Sequence, residues 1–321
     1  MLPLVSILTP TWNRGDYLDR VWNGLNSQTY KNIEWIVADD GSTDNTLTVL
    51  NTLRRKSNFP VIIIRASLHI GKSRMDNEAI SLAKGEFILW NDSDDYLLPH
   101  AIEKLVDAWE NIDEVDRKHF VGVTALCGDK QGVISTELPT KGIFDTTLND
   151  LRMKYKVEGD MLHFTRSNYL KENKFPEVDF LIPEGVVWSK IGNSKTRIIP
   201  EIIQVKEYKA LNCISFSKLM KYNRGMAYSK AICCENLKKY PKKNKDKFWD
   251  TINFIRYSIH GDISMINAIN MWNKNTSFLY FLSSIPFAVL LAIKDITQGK
   301  VRKTHLEFLS ASKSVEVSLV E

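Results

Sequence analysis

Ala83-Lys84-Gly85-Glu86-Phe87-Ile88-Leu89-Trp90-Asn91-Asp92-Ser93-Asp94-Asp95 runs from a glycine turn through an apolar stretch into three carboxylates within four positions. The unbroken apolar run from Phe87 to Trp90 reads as a strand buried on both faces, because a half-exposed strand would alternate. Carboxylates this close repel one another unless a cation or a basic group lies among them. Hard oxygen ligands suit Mg²⁺ or Mn²⁺, and Mg²⁺ is usually held by one or two carboxylates together with substrate phosphates. Alone, the same cluster is equally an acidic turn that opens a helix.

Working outward, apolar strands alternate with helices. Residues 4–8 form a short apolar run that stops at Thr9-Pro10, and Tyr17, Leu18, Val21, Trp22 and Leu25 follow at helical spacing. Residues 33–38 read as a second strand ending at Asp39-Asp40-Gly41, with Ser42 or Thr43 able to cap a helix carrying Leu47, Leu50 and Leu53. Residues 61–64 are a third strand, residues 73–83 a third helix, and residues 120–126 a fifth strand after a helix bearing Ile102, Leu105, Val106 and Trp109. This order predicts an α/β fold with a parallel sheet covered on both faces. Ligands of such sheets bind beyond the carboxyl ends of the strands. Polar clusters fall there: Thr9 to Arg14, Asp39 to Ser42, and Asn91 to Asp95. A carboxylate at the end of the second strand can accept the ring N–H of a pyrimidine base, although a plain helix cap would use the same residues.

Together, Val5-Ser6-Ile7-Leu8-Thr9-Pro10-Thr11-Trp12-Asn13-Arg14, Val37-Ala38-Asp39-Asp40-Gly41-Ser42-Thr43-Asp44 and the opening stretch resemble, in order and spacing, the family 2 glycosyltransferases. The resemblance is strong over residues 3–126, weaker to about 210, and not visible beyond. It implies a GT-A, Rossmann-like nucleotide-diphospho-sugar transferase fold and inverting transfer of a sugar from a nucleotide diphosphate, usually UDP. It implies that Thr9, Pro10, Thr11 and Asn13 line the nucleotide. Asp40 would contact the base, with Asp39 the neighbouring alternative. Asp92 and Asp94 form a DxD element, with Ser93 between them, Asp94 on Mn²⁺ or Mg²⁺ and Asp92 nearer the ribose.

Many members carry Ala-Arg-Asn on the third helix, but Gly71-Lys72-Ser73-Arg74-Met75-Asp76-Asn77 places Asp76 at the usual arginine position. The segment resembles a subgroup with Gly-Lys-His there. Lys72 becomes the candidate for the diphosphate or base, with Arg74 as a substitute. An inverting transfer also needs a general base for the acceptor hydroxyl. Phe180-Leu181-Ile182-Pro183-Glu184-Gly185 resembles the Pro-Glu element of that subgroup, which makes Glu184 the first choice and Asp179 the second. His163 is read as structural, with an approach to the metal as the alternative.

Three regions are expected: residues 1–126 as the nucleotide-sugar half, 127–210 as the acceptor-side half, and 211–321 as a mostly helical, basic C-terminal extension. The balance of 43 Lys and Arg against 38 Asp and Glu, a formal charge of +5, lacks the dense basic stripe of a nucleic-acid binder. The four cysteines fit no zinc pattern or disulfide framework, and the N-terminus reads as no signal peptide. A cytoplasmic location is expected, with peripheral attachment to the inner membrane face as an addition. Residues 278–293 are almost uncharged, contain Pro286 and precede Lys294, Lys300, Arg302 and Lys303. They read either as a buried helix pair or as an element in a membrane interface spanning 278–303. The expected partners are a nucleotide-diphospho-sugar and a glycan or lipid-linked glycan of a cell-surface polysaccharide. The competing readings are a non-catalytic nucleotide-sugar or glycan binder on the same fold and a sugar-1-phosphate nucleotidyltransferase. The latter would normally open with a Gly-rich, Arg-containing loop, where this chain has Thr-Pro-Thr-Trp-Asn-Arg.

Overall fold

The fold is seen in a computed structural model that describes residues 2–129, 131–178, 180–207, 222–301 and 315–320. Asp179, Cys213, Arg302 and Lys303 lie outside the described residues. The chain forms two compact units: Met1–Glu177, Ile191–Ala210 and Leu309–Glu321 in the first, Val178–Lys190 and Leu211–Phe308 in the second.

The elements are, in chain order, β1 (Val5–Thr11), α1 (Leu18–Asn26), β2 (Ile33–Asp39), α2 (Thr46–Lys56), β3 (Val61–Ala66), α3 (Lys72–Leu82), β4 (Phe87–Trp90), β5 (Tyr96–Leu97), α4 (Ala101–Glu110), β6 (Phe120–Asp129), β7 (Gly132–Val133), β8 (Phe144–Thr147), α5 (Leu148–Met153), β9 (Met161–Arg166) and α6 (Ser167–Glu172). There follow α7 (Gly185–Ile191), β10 (Lys195–Val205), α8 (Asn223–Asn236), α9 (Asn244–His260), α10 (Met265–Trp272), α11 (Phe278–Thr297) and β11 (Val317–Leu319).

Among the described residues the first unit holds one sheet of eleven strands, ordered β11-β3-β2-β1-β4-β9-β6-β10-β5, with β7 on β6 and β8 on β10. The stretch β3-β2-β1-β4 is parallel throughout. The expectation of an all-parallel sheet ends there. β9 inserts between β4 and β6 and runs antiparallel to both. Its apolar side chains complete the layer, and Phe164 stacks on Phe87 with ring centroids 4.2 Å apart. Leu18, Val21 and Leu25 of α1, Leu50 and Leu53 of α2, and Ile102, Leu105 and Trp109 of α4 pack with the strands in one core. These are the positions that helical spacing singles out.

The chain leaves β1 for β2 on one side and returns for β4 on the other. Such a reversal opens a crevice at the carboxyl ends of the strands. α2 starts at Thr46, later than the cap expected at Ser42 or Thr43. The reason is that Asp39 accepts the Ser42 N–H and Asn13 accepts the Thr43 N–H, while Asp44 accepts the Thr46 N–H at 3.0 Å. Gly41 adopts φ +69°, and a Cβ there would lie 2.6 Å from the Leu68 carbonyl carbon, so the turn after β2 requires glycine.

The second unit is helical. Ala227, Ala231, Ile252, Phe254, Ile255, Trp272, Phe281 and Ala288 form its core, with Phe254 stacked on Trp272 at 4.4 Å. The apolar C-terminal run is a single helix of 20 residues with Pro286 inside it, rather than a helix pair.

Candidate active site

The three polar clusters converge at the carboxyl ends of β1, β2 and β4, and β10 adds a fourth contribution. Parallel pairing sets Thr11 beside Asp39 and Leu8 beside Trp90, so the loops after those strands share one edge. The Thr9 side chain is fully buried. Its hydroxyl donates to the Asn91 carbonyl at 2.8 Å and accepts from the Trp35 indole N–H at 2.9 Å. Thr9 therefore seats the acidic loop from below. Gln204 on β10 holds the same loop by donating to the Asn91 side-chain oxygen at 3.0 Å.

Within the acidic loop each carboxylate meets a cation. Asp92 is 3.3 Å from the Lys206 ammonium and 4.0 Å from that of Lys72. Asp95 is 2.7 Å from Lys206, and Asp94 is 3.7 Å from the Arg14 guanidinium. Lys72 also pairs with Asp76 at 3.0 Å, whose other oxygen accepts the Trp90 indole N–H. Among the described residues Asp76, Asp92, Asp94 and Asp95 thus meet Arg14, Lys72 and Lys206.

The charge states follow from this arrangement. Burial alone would raise the Asp92 carboxyl, but Lys206 and then Lys72 outweigh it and hold it below the usual carboxylate range. Burial and the neighbouring Asp92 raise the Asp94 carboxyl, with Arg14 opposing them. Burial pushes the Asp95 carboxyl up to about 7 against the pull of Lys206. Burial would lower the Lys206 ammonium, but Asp92 and Asp95 hold it well above its ordinary value. Lys206 lies just past β10, and local sequence gave no reason to prefer it to other lysines.

At the other end of the crevice the side chains suit a planar ring. Trp12, 40% exposed, stacks on His69 at 4.1 Å and 17°. His69 Nδ1 is 2.8 Å from Asp40. Both Asp40 oxygens accept backbone N–H groups, from Ile70 at 2.6 Å and Gly71 at 2.9 Å. Asp39 is different. One of its oxygens accepts the Ser42 N–H, while the other has no aligned donor, although the Arg65 Nε lies 3.3 Å away. The Arg65 contact is therefore a charge attraction rather than a hydrogen bond. The Thr11 hydroxyl, in register with Asp39, is likewise buried without a hydrogen-bond partner. Burial raises the Asp39 carboxyl against the hydrogen bonds from Ser42 and the charge of Arg65.

The remaining candidates divide by location. The side chain of Asn13 fixes the turn at Thr43, and its own backbone takes φ 52°. Pro10 is half-buried on β1, and Ser93 is buried between Asp92 and Asp94. Arg74 reaches the Val315 carbonyl at 3.3 Å and lies 3.8 Å from Glu78. His163 hydrogen-bonds Thr124 inside the sheet, and burial first, then Arg152 and Lys206, push it down to about 3, which keeps it neutral. Glu184 belongs to the second unit, where its carbonyl accepts the Val187 N–H at the start of α7. Asp179 lies outside the described residues.

A divalent cation can be tested against these groups. Among the described residues no set of three or more His, Cys, Asp or Glu side chains converges on one point. Asp92 and Asp94 nevertheless offer two hard oxygen donors two positions apart, with the cations Lys72 and Arg14 beside them. Two carboxylates completed by ligand phosphates are a usual Mg²⁺ donor set, so the residues fit the group.

Residues 6–155 match a family model described as "Glycosyl transferase family 2". Among curated proteins, the chain is 26% identical over 207 residues to a GalNAc(5)-diNAcBac-PP-undecaprenol beta-1,3-glucosyltransferase of Campylobacter jejuni, covering 64% of each chain. It is 35% identical over 192 residues to glycosyltransferase GlyG of Streptococcus pneumoniae, covering 56% of this chain and 60% of that one. It therefore spans less than two thirds of the length of these relatives. Among solved structures, residues 1–349 of Staphylococcus aureus TarS in complex with UDP-GlcNAc superpose with a TM-score of 0.64 at 17% identity, over 92% of both chains.

Proposed function

We propose, from the match of residues 6–155 to the family 2 glycosyltransferase model and from the GT-A fold with its helical C-terminal region, that the chain is an inverting glycosyltransferase using a nucleotide-diphospho-sugar, of UDP type. The observation that carries this reading is the meeting of Asp92, Asp94 and Asp95 with Arg14, Lys72 and Lys206 at the sheet's crevice. A site built from both signs suits a diphosphate that needs cations together with a metal that needs carboxylates.

The base end lies against Trp12 and His69, and the Asp39 oxygen without an aligned donor accepts the ring N–H. That choice favours Asp39 over Asp40, whose two oxygens already serve Ile70 and Gly71. Lys72 and Arg14 face the diphosphate. Asp92 and Asp94 would hold Mn²⁺ or Mg²⁺, which when bound neutralises charge on the leaving diphosphate. Glu184 takes the proton of the acceptor hydroxyl, the freed oxygen attacks the anomeric carbon, and UDP departs from the opposite face. The C. jejuni relative's name specifies an undecaprenol-linked acceptor, which supports a glycan or lipid-linked glycan of the cell surface as the acceptor here.

A screen of nucleotide sugars for donor hydrolysis with Mn²⁺ and Mg²⁺ tests the proposal. Release of UDP from one donor is the expected outcome. Tight binding of a nucleotide sugar with no turnover in any combination would assign the site to a non-catalytic binder instead.

A further inference from the structure

The second unit carries a surface that the carboxylate site does not use. α11 buries one narrow stripe, Phe281, Ser284, Ala288, Ala292 and Asp295, spaced three or four residues apart along one side. The opposite side is apolar and open: Leu279 is 78% exposed, Leu290 65% and Ile293 52%. A helix on a water-facing surface normally turns polar residues outward, and contiguous apolar exposure marks an interaction site.

Positive charge frames this strip at both ends. The Tyr280 hydroxyl donates to the Asn244 carbonyl at 3.1 Å, which sets the start of α11 beside the start of α9. There Lys243, Lys245 and Lys247 are exposed. At the far end Lys294 and Lys300 are exposed as well.

Two of three possible occupants conflict with this pattern. α11 is long and apolar enough to cross a bilayer. Yet Asp295 ties it to Arg256 and His260 of α9, and crossing would draw α9, with Lys245, Asp246, Lys247, Asp250 and Arg256, into hydrocarbon. Pairing with a second copy would oppose lysines to lysines in either the parallel or the antiparallel direction. An anionic surface attracts both ends at once. We propose that α11 docks the chain on an anionic lipid bilayer, lying in the plane of the interface with Leu279, Leu282, Leu290 and Ile293 at the acyl boundary and the lysines among the headgroups. The inference concerns the second unit alone and stands whether or not the carboxylate site transfers a sugar.

Flotation of the full chain with phosphatidylcholine vesicles, with and without phosphatidylglycerol, tests it. Wild type floats with the anionic vesicles and is released by high salt. The double substitution L290E/I293E lowers partitioning by at least about tenfold with the circular dichroism spectrum unchanged, and K294E/K300E lowers it roughly tenfold. Failure of wild type to float, or flotation indifferent to L290E/I293E, overturns the proposal. A non-floating protein whose dimer is dissociated by L290E/I293E would assign the face to a second copy and overturn it too.

Discussion

Asp94 is the carboxylate best placed to answer to a metal, because burial and the neighbouring Asp92 penalise its charged form and Arg14, 3.7 Å away, offsets them only in part. A bound divalent ion contributes several kcal/mol of charge stabilisation at a leaving diphosphate. Asp94→Ala is accordingly expected to lower kcat by on the order of 10²–10³-fold while thermal unfolding is nearly unchanged; unaltered kcat would remove Asp94 from the mechanism. Lys206 works differently. It is the cation between Asp92 and Asp95 at 3.3 and 2.7 Å, so Lys206→Met leaves two carboxylates facing each other. Breaking a buried pair costs about 3 kcal/mol, and a lowered Tm that is partly restored in K206M/D95N is the expected result. An unchanged Tm in K206M would show the pair to be idle. The two residues also differ in how they could be read. Asp94 announces itself through its spacing from Asp92 at a strand end, which is local information. Lys206 reaches the site because β10 pairs with β6 and β5, and nothing within ten residues of it encodes that contact. Trp12 lay in view inside the first motif, but its partner His69 comes from a loop 57 residues on.

At the scale of elements, β1, β2, β3 and β4 with their helices were legible because each is a run of apolar residues closed by a turn signal. β9 was not, since insertion between β4 and β6 is decided by long-range packing such as Phe164 on Phe87. α11 read as interrupted because of Pro286, yet the proline is exposed and the small residues at 284, 288 and 292 keep the opposite side packed. The segment holding Glu184 is positioned by α8: a Cβ on Gly225 would lie 1.8 Å from the Leu181 carbonyl oxygen. Gly225→Ala should cost about 1–3 kcal/mol by forcing that backbone apart, and transfer should fall with it if Glu184 is the base; an unchanged melting curve would show that the contact yields freely. α9 and α11 are joined through Asp295. Burial raises its carboxyl, but hydrogen bonds from Arg256 and His260 outweigh burial and hold it below the usual range. A depressed carboxyl adds stability above its unfolded value of about 4 and loses it as pH falls through the lower folded value. Denaturation midpoints of wild type should drop below about pH 4, and Asp295→Asn should flatten that drop; parallel pH curves would contradict the assignment.

For the molecule as a whole, the division of labour follows from composition. The sheet of the first unit gathers both signs of charge at one edge, the arrangement on which the proposed nucleotide-diphospho-sugar site rests. The helical second unit pairs a buried core with an apolar, lysine-framed face. The fold class and the carboxylate loop were legible from the sequence because family motifs concentrate at strand ends. The charge balance of the site was not, because it is set by residues from Arg14 to Lys206 that meet only in three dimensions. The most direct test of the account is UDP release from a UDP-sugar by wild type and Asp94→Asn, each with Mn²⁺ and with a chelator. Release by wild type that needs added metal, and its loss in Asp94→Asn, is the predicted result. Equal release in the presence of chelator, or by the Asp94→Asn protein, would contradict a metal-assisted transferase centred on these aspartates.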